Sequence, residues 1–173
     1  MIGPSAAGKS TLAGAFVATR PDYQLVLTHT TRPSRPGESG SHIFVSDQEF
    51  DQTDFLGTLK IFGWRYGLPA WQGTATPLLV LRQGALDQFG ALFSRFKVIQ
   101  VEAPVEVLMA RLARRETSLN SAGQAASEGS NRADPAALST EIALGRRAAG
   151  RIVSTDQPFA QALAEFSQAL ADA

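Results

Sequence analysis

An α/β fold with a mainly parallel central sheet is what this sequence predicts, and three observations carry the prediction. The chain begins MIGPSAAGKST. Gly3 to Ser10 read G-x-x-x-x-G-K-S, the pattern of a phosphate-binding P-loop that joins a strand to a helix. After it, short apolar runs of strand type alternate with helical patterns, as in βαβ units. The 173 residues suit one domain, 1–173, and 44% apolar against 18% charged residues is enough to bury a core.

The elements follow in order. The strand that should precede the loop is reduced to Met1 and Ile2, so the first strand reads as truncated, and a few more apolar residues are expected upstream. A helix is predicted from Ser10 to Thr19, then a strand from Tyr23 to Leu27. A polar loop, THTTRPSRPGESGS, leads to the short strand HIFV, and Ser46 with Glu49 forms a capping box that starts a short helix. Leu56 to Phe62 reads as a strand, and GWRYGLPA as a turn bounded by glycines. Pro77 to Leu81 is an apolar run of buried-strand type. Gly84 to Phe93 reads as a helix and Phe96 to Val101 as a core strand. Pro104 opens a helix whose Val105, Leu108, Met109 and Leu112 share a face. Between Glu116 and Pro135 no apolar periodicity is found, which predicts a lid insertion. Ile152 and Val153 form a last strand, and an amphipathic helix closes the chain.

The loop carries the first chemistry. Gly3 and Gly8 permit backbone angles and approaches that a Cβ would block. Backbone amides of Gly3, Pro4, Ser5, Ala6, Ala7, Gly8, Lys9, Ser10 and Thr11 surround an anion nest, with proline contributing no donor. Lys9 reaches the β- and γ-phosphates of a nucleotide, and the Ser10 hydroxyl is the metal ligand. ATP and Mg²⁺ are the expected cofactors.

A second constellation lies in TTRPSRPGE. Arg32 and Arg35, stiffened by Pro33 and Pro36, suit bidentate grip of a second phosphate. Arg65 and Tyr66 follow in a glycine-bounded turn. A donor site beside an acceptor clamp describes a kinase acting on a small substrate that is already phosphorylated.

Composition narrows the classes. Sixteen basic and sixteen acidic residues give zero formal net charge, which argues against a nucleic-acid partner. No 18-residue apolar run exists, so no membrane partner is expected, and with no leader visible a cytoplasmic location is expected. The chain has no cysteine and two histidines, too few for a thiolate or His-based metal site. Oligomeric state is left open.

GPSAAGKST, TTRPSRPGE, HIFVS before DQEF, and the RYG turn together resemble the guanylate kinase-like group of P-loop kinases over nearly the whole chain. The resemblance implies the three-layer P-loop NTPase fold, with an acceptor-binding subdomain at about 28–70 and a lid at about 114–147. It implies that Thr28, Arg32, Arg35, Glu38, His42, Arg65 and Tyr66 bind the acceptor. It also implies that the lid arginines Arg115 and Arg146 or Arg147 act with Lys9 in catalysis. The sequence departs from guanylate kinases where their guanine-reading glutamate would stand: here it is Gly57, with Lys60 on the same strand. The carboxylate expected after the next core strand is replaced by Arg82-Gln83. These changes resemble a sister branch, the ribose 1,5-bisphosphate phosphokinases of phosphonate metabolism. That implies ATP-dependent phosphorylation of ribose 1,5-bisphosphate to 5-phosphoribosyl 1-diphosphate. Guanylate kinase activity and a non-catalytic binding module are the alternatives.

Overall fold

The computed structural model describes residues 1–34, 38, 40, 42–71, 73–121 and 134–171; for residues 116 and 118–121 it describes the backbone alone. The element order is α1 (Lys9–Thr19), β1 (Tyr23–Val26), β2 (Thr28–Thr30), β3 (His42–Phe44), α2 (Asp47–Asp51), β4 (Phe55–Ile61), β5 (Trp64–Pro69), β6 (Thr76–Leu79), α3 (Gln83–Gly90), β7 (Ile99–Glu102), α4 (Val105–Ser121), α5 (Pro135–Ala148), β8 (Arg151–Ser154) and α6 (Phe159–Ala171).

Two parallel pairs, β1–β6 and β7–β8, form the halves of the central sheet. Met1 and Ile2 join them. The Met1 amine donates to Leu79 O and the Met1 carbonyl accepts from Leu81 N, while Ile2 exchanges bonds with Ile99 and Val101. Met1 and Ile2 thus form a two-residue stub that completes the order β1–β6–stub–β7–β8. Its neighbours find partners there, as buried backbone groups must. All four residues of β7 are buried, as in a strand covered on both faces, whereas β1, β6 and β8 each keep exposed positions.

One core cluster joins α1, α4 and α6 to this sheet, with Phe16 and Phe166 fully buried and in edge contact at 5.2 Å. A second lies on the other side, where Ile2, Val26 and Leu81 meet Phe89, Leu59 and Leu68. That cluster seats a four-stranded sheet of order β3–β2–β5–β4 against the body of the molecule. In this small sheet β2 and β3 run parallel, and β5 is antiparallel to both β2 and β4. The tip of the β4–β5 hairpin is Phe62-Gly63, both at positive φ (49° and 84°), as a two-residue turn of type I′ requires.

Four elements differ from the sequence expectation. GWRYGLPA is the strand β5 and not a turn, because it is hydrogen-bonded along both edges, and THT forms β2. Helix α4 runs on through Ser121, past the expected helix end near Glu116. Residues 134–148, expected within the lid, hold a full helix, α5, capped by Asp134 with Pro135 in its first turn. The remainder of the expected insert, 122–133, lies outside the described residues.

Candidate active site

The phosphate loop sits at the carboxyl end of the central stub, where open parallel sheets place their ligands. Gly3 has φ 146°, and a Cβ there would lie 2.0 Å from Val101 O, so the close crossing over β7 needs glycine. Gly8 turns at φ 81° into α1. Ala6 also adopts a left-handed conformation, φ 64°, at the crest of the loop. No acidic residue occupies the first turn of α1, whose positive end faces the loop.

Lys9 donates to Gly3 O at 2.8 Å and Pro4 O at 2.7 Å, folding its ammonium over the loop. Burial lowers its pKa from 10.5 to about 8. The nearby Glu141 carboxylate opposes that fall and the Arg82 guanidinium adds to it. The hydrogen-bond partners of this ammonium among the described residues are the Gly3 and Pro4 carbonyls, so a phosphate chain entering the loop would add an anionic one. Ser10 lies in the first turn of α1, so its hydroxyl is next to the nest, where it would hold an Mg²⁺. The loop, its lysine and this hydroxyl fit an Mg²⁺-nucleotide.

An arginine from α4 braces the loop. Arg111 Nη1 donates to Ala6 O (3.2 Å) and Thr155 Oγ1 (3.0 Å), and its Nη2 donates to Thr155 O (2.7 Å). Thr155 Oγ1 in turn donates to Ala7 O at 3.1 Å. Beside this brace is a cavity of about 250 Å³ lined by Ala6, Gly8, Thr11, Leu12, Arg111, Thr155, Gln157, Phe159 and Ala162. Its position flanking the loop and its mixed apolar and polar wall suit the planar base of a nucleotide. The sequence places Arg111 in a basic cluster but points to Arg115 as the lid cation, and Arg115 stands exposed one turn farther along α4.

The acceptor residues sort by the two faces of the small sheet, since successive side chains on a strand point to opposite sides. Thr28 and His42 are register partners, as are Thr30 and Tyr66. Thr28 Oγ1 lies 2.7 Å from His42 Nδ1, and the His42 and Tyr66 rings meet edge-on at 5.6 Å. Thr28, His42 and Tyr66 thus share one face. Arg32 reaches the same side and is almost completely buried. It donates to Glu38 Oε1 at 2.8 Å and to Pro33 O, with its guanidinium 5.2 Å from the Phe44 ring. Glu38 holds this arginine in place, and the pair forms one unit of the clamp. Arg35 lies outside the described residues.

Arg65 is not brought to this set. It points to the opposite face, pairs with Asp51 (2.5 Å) and Asp47 (3.6 Å) of α2, and stacks over Phe50 at 4.2 Å. Being next to Tyr66 on a strand, it cannot share that residue's face; reading the segment as a turn hides this.

Arg146 also has a different setting from the one the sequence suggests. Its Nε donates to both oxygens of Glu102 at 3.0 Å and its Nη2 bonds the same carboxylate. Burial opposes ionisation of Glu102, but the Arg146 and Gln100 hydrogen bonds outweigh it, and the carboxyl is held below its usual range. Arg146 therefore fastens α5 to the end of β7. Arg147, next along the helix, is exposed.

The third cation at the loop does not stand out in the sequence as a site residue. Arg82, three residues past the end of β6, donates to both oxygens of Glu141 (3.3 and 3.0 Å). Arg82 and Glu141 are both near enough to Lys9 to act on its charge.

A phosphate loop on a parallel sheet, facing a separate anion clamp carried by a small mixed sheet, defines a P-loop kinase of the guanylate kinase-like type. The chain belongs to that family. It is 35% identical over 127 residues to the ribose 1,5-bisphosphate phosphokinase PhnN of Agrobacterium fabrum, covering 66% of this chain and 69% of that protein. It is 32% identical over 130 residues to the guanylate kinase of Symbiobacterium thermophilum, covering 68% of this chain and 62% of the relative. A Yersinia pestis guanylate kinase is 47% identical over 72 residues, 37% of this chain and 35% of that one. The chain thus spans less than two thirds of these two guanylate kinases. Among solved structures, the guanylate kinase of Anaplasma phagocytophilum matches in fold with a TM-score of 0.64, at 19% identity, over 95% of this chain and 81% of that one. No protein-family model matches the chain.

Proposed function

We propose that this kinase transfers the γ-phosphoryl group of ATP to the C1 phosphate of ribose 1,5-bisphosphate, giving 5-phosphoribosyl 1-diphosphate and ADP. The observation that carries the choice of acceptor is at Gly57. The family resemblance puts a guanine-reading carboxylate there. A Cβ built at Gly57 would lie 2.8 Å from Leu92 Cδ1, so a side chain could enter only if Leu92 turned aside. Apolar methyl groups fill the place where base recognition needs an acceptor for guanine N–H groups. The similarity to PhnN points the same way.

The nucleophile is an oxygen of the acceptor phosphate, already ionised near neutral pH, so no general base is needed. The bond between the γ-phosphorus and its bridging oxygen breaks as the new P–O bond forms, and ADP leaves with that electron pair. Arg32, fixed by Glu38, and Tyr66, oriented by His42, hold the acceptor. Lys9 and the loop amides hold the donor phosphates where negative charge spreads in the transition state. The Ser10 hydroxyl would hold Mg²⁺, which would supply positive charge against that of the donor phosphates. The cavity beside Arg111 takes the adenine. Arg115 of α4 and Arg147 of α5, both exposed, close over the phosphates as a lid, which excludes water and suppresses hydrolysis. A cytoplasmic setting, where ATP is the phosphoryl donor, fits this chemistry.

Guanylate kinase activity is the second reading. It is favoured by the intact Arg32–Glu38 unit and Tyr66, which would serve a GMP phosphate equally well. An ADP-release assay with ribose 1,5-bisphosphate and GMP in parallel separates the two. A larger kcat/KM for GMP would overturn the ribose assignment. Failure with both acceptors, with Mg-ATP still bound, would favour a binding module.

A further inference from the structure

We propose that Arg82 is a specificity-determining residue that grips the reacting phosphate of the acceptor, and that Glu141 is the positioning residue that aims it. This rests on the kinase reading above and adds to it the group that the acceptor phosphate meets at the sheet edge.

Three observations support the assignment. The first is location: Arg82 follows β6 at its carboxyl end, beside the stub that feeds the phosphate loop. The β6–stub junction is fixed by the Leu81 N to Met1 O bond at 2.9 Å. Arg82 therefore stands beside the phosphate loop, on the side toward the small sheet; its guanidinium lies 5.5 Å from the ring of Phe62, at the tip of the β4–β5 hairpin.

The second is orientation. Glu141 binds Nε and Nη2 as a fork, which fixes the guanidinium plane. The remaining nitrogen, Nη1, is shut off from solvent and has no hydrogen-bond partner among the described residues. Leaving a buried charged donor unmet is costly. A buried donor left over in this way is one that an incoming anion can satisfy. The side chain as a whole is 31% exposed, so the guanidinium is not sealed in the core.

The third is charge. Lys9 and Arg82 face one carboxylate, Glu141, leaving a net positive pair at the place where the donor's terminal phosphate and the acceptor's phosphate must come together. Two polyanions repel at that point, and a second cation offsets the repulsion. An acceptor bearing two phosphates needs this more than a nucleoside monophosphate.

The test compares Arg82→Gln, Arg82→Lys and Glu141→Gln with the unaltered protein, using ribose 1,5-bisphosphate and GMP as acceptors and Mg-ATP as donor. Whichever acceptor the unaltered protein turns over better, Arg82→Gln is expected to lower its kcat/KM by roughly 10- to 100-fold. The KM for Mg-ATP should stay within about twofold, because the donor has its own site. Arg82→Lys should recover part of the loss, since charge remains but the fork does not. Glu141→Gln should raise the acceptor KM more than it lowers kcat. If the unaltered protein prefers GMP, the ribose assignment falls, while Arg82 is still judged on its GMP kinetics. An Arg82→Gln protein with unchanged acceptor kinetics, or one whose only defect is in Mg-ATP binding, overturns the proposal. Arg82→Lys decides the same question by the same readings should Arg82→Gln fail to fold.

Discussion

Arg111 and Thr155 are joined by two hydrogen bonds, one to the threonine hydroxyl and one to its carbonyl, and the same guanidinium holds the crest of the phosphate loop through Ala6 O. Residues 105 positions apart are thereby tied around the nucleotide site. The Arg111→Ala protein should bind Mg-ATP about tenfold or more weakly, since the left-handed Ala6 turn loses its brace and the base cavity loses a wall. Stability should fall by about 1–3 kcal/mol, measured by urea unfolding. An unchanged Mg-ATP KM would remove Arg111 from the site.

Lys9 gives a prediction with a pH signature. The Lys9→Ala protein should lose roughly 100- to 1,000-fold in kcat, the scale of removing a group that stabilises transition-state charge. In the intact protein the free ammonium titrates near pH 8, well below the 10.5 of an exposed lysine. Mg-ATP meets a charged lysine below pH 8 and an increasingly neutral one above it. Affinity should therefore decline as pH rises through about 8, and calorimetry should record proton uptake on binding there. Stability has its own sign. Between about 8 and 10.5 the unfolded chain binds a proton that the folded chain has released, so this group makes folding more favourable as pH rises.

Much of the site is legible in the sequence, because its chemistry is concentrated in short motifs. Gly3, Gly8, Lys9 and Ser10 are local in sequence, and their geometry follows from main-chain rules. The capping box at Ser46 forms as the spacing indicates, with Ser46 Oγ accepting from Glu49 N at 3.2 Å. What stays hidden depends on partners distant in sequence. The β5 segment, between glycines, looks like a turn until β2 and β4 pair with it, and only then do Arg65 and Tyr66 separate to opposite faces. Arg82 looks like a lost carboxylate until Glu141, 59 residues away, is seen to hold it. Arg146 looks like a free lid cation, and Glu102 claims it. Helix α5 has a legible start in Asp134-Pro135, which the polar composition upstream obscures.

Two glycines predict opposite changes in stability. Gly145 on α5 crosses Gln100 so closely that a Cβ would lie 1.7 Å from Oε1 and 2.5 Å from Cδ. Gln100 is completely buried and holds Ile142 O and Glu102, so it has little room to retreat. The Gly145→Ala protein should lose about 1–3 kcal/mol. Gly14, inside α1, has nothing within 4 Å of the place a Cβ would take, so Gly14→Ala should add about 0.5–1 kcal/mol through helix propensity. Thermal unfolding of both proteins checks the pair, and a lower melting temperature for Gly14→Ala would contradict the packing described for α1.

The stub at the centre of the sheet gives the last prediction. The Met1 amine is enclosed and donates to Leu79 O at 2.8 Å. Burial, and then the charge of Lys9, lower its pKa from 8.0 to about 5. In the unfolded chain it stays protonated up to pH 8.0; in the folded chain it has released its proton by about pH 5. Between those values unfolding takes up a proton, so this group should make stability climb with pH from about 5 to 8 and add no slope above. The rise is a few kcal/mol at most. Burial also lowers the His29 pKa, which adds a slope of the same sign near its ordinary value of 6.5. Extending the chain before Met1 by about four or five apolar residues separates the two contributions. It turns the amine into a peptide N–H, lengthens the central strand, and leaves His29 as it is. The extended protein should be more stable at about pH 6, and its pH slope should shrink to the histidine share. Parallel stability curves for the two proteins, in urea unfolding from about pH 5.5 to 8.5, would show that the buried amine does not carry the effect.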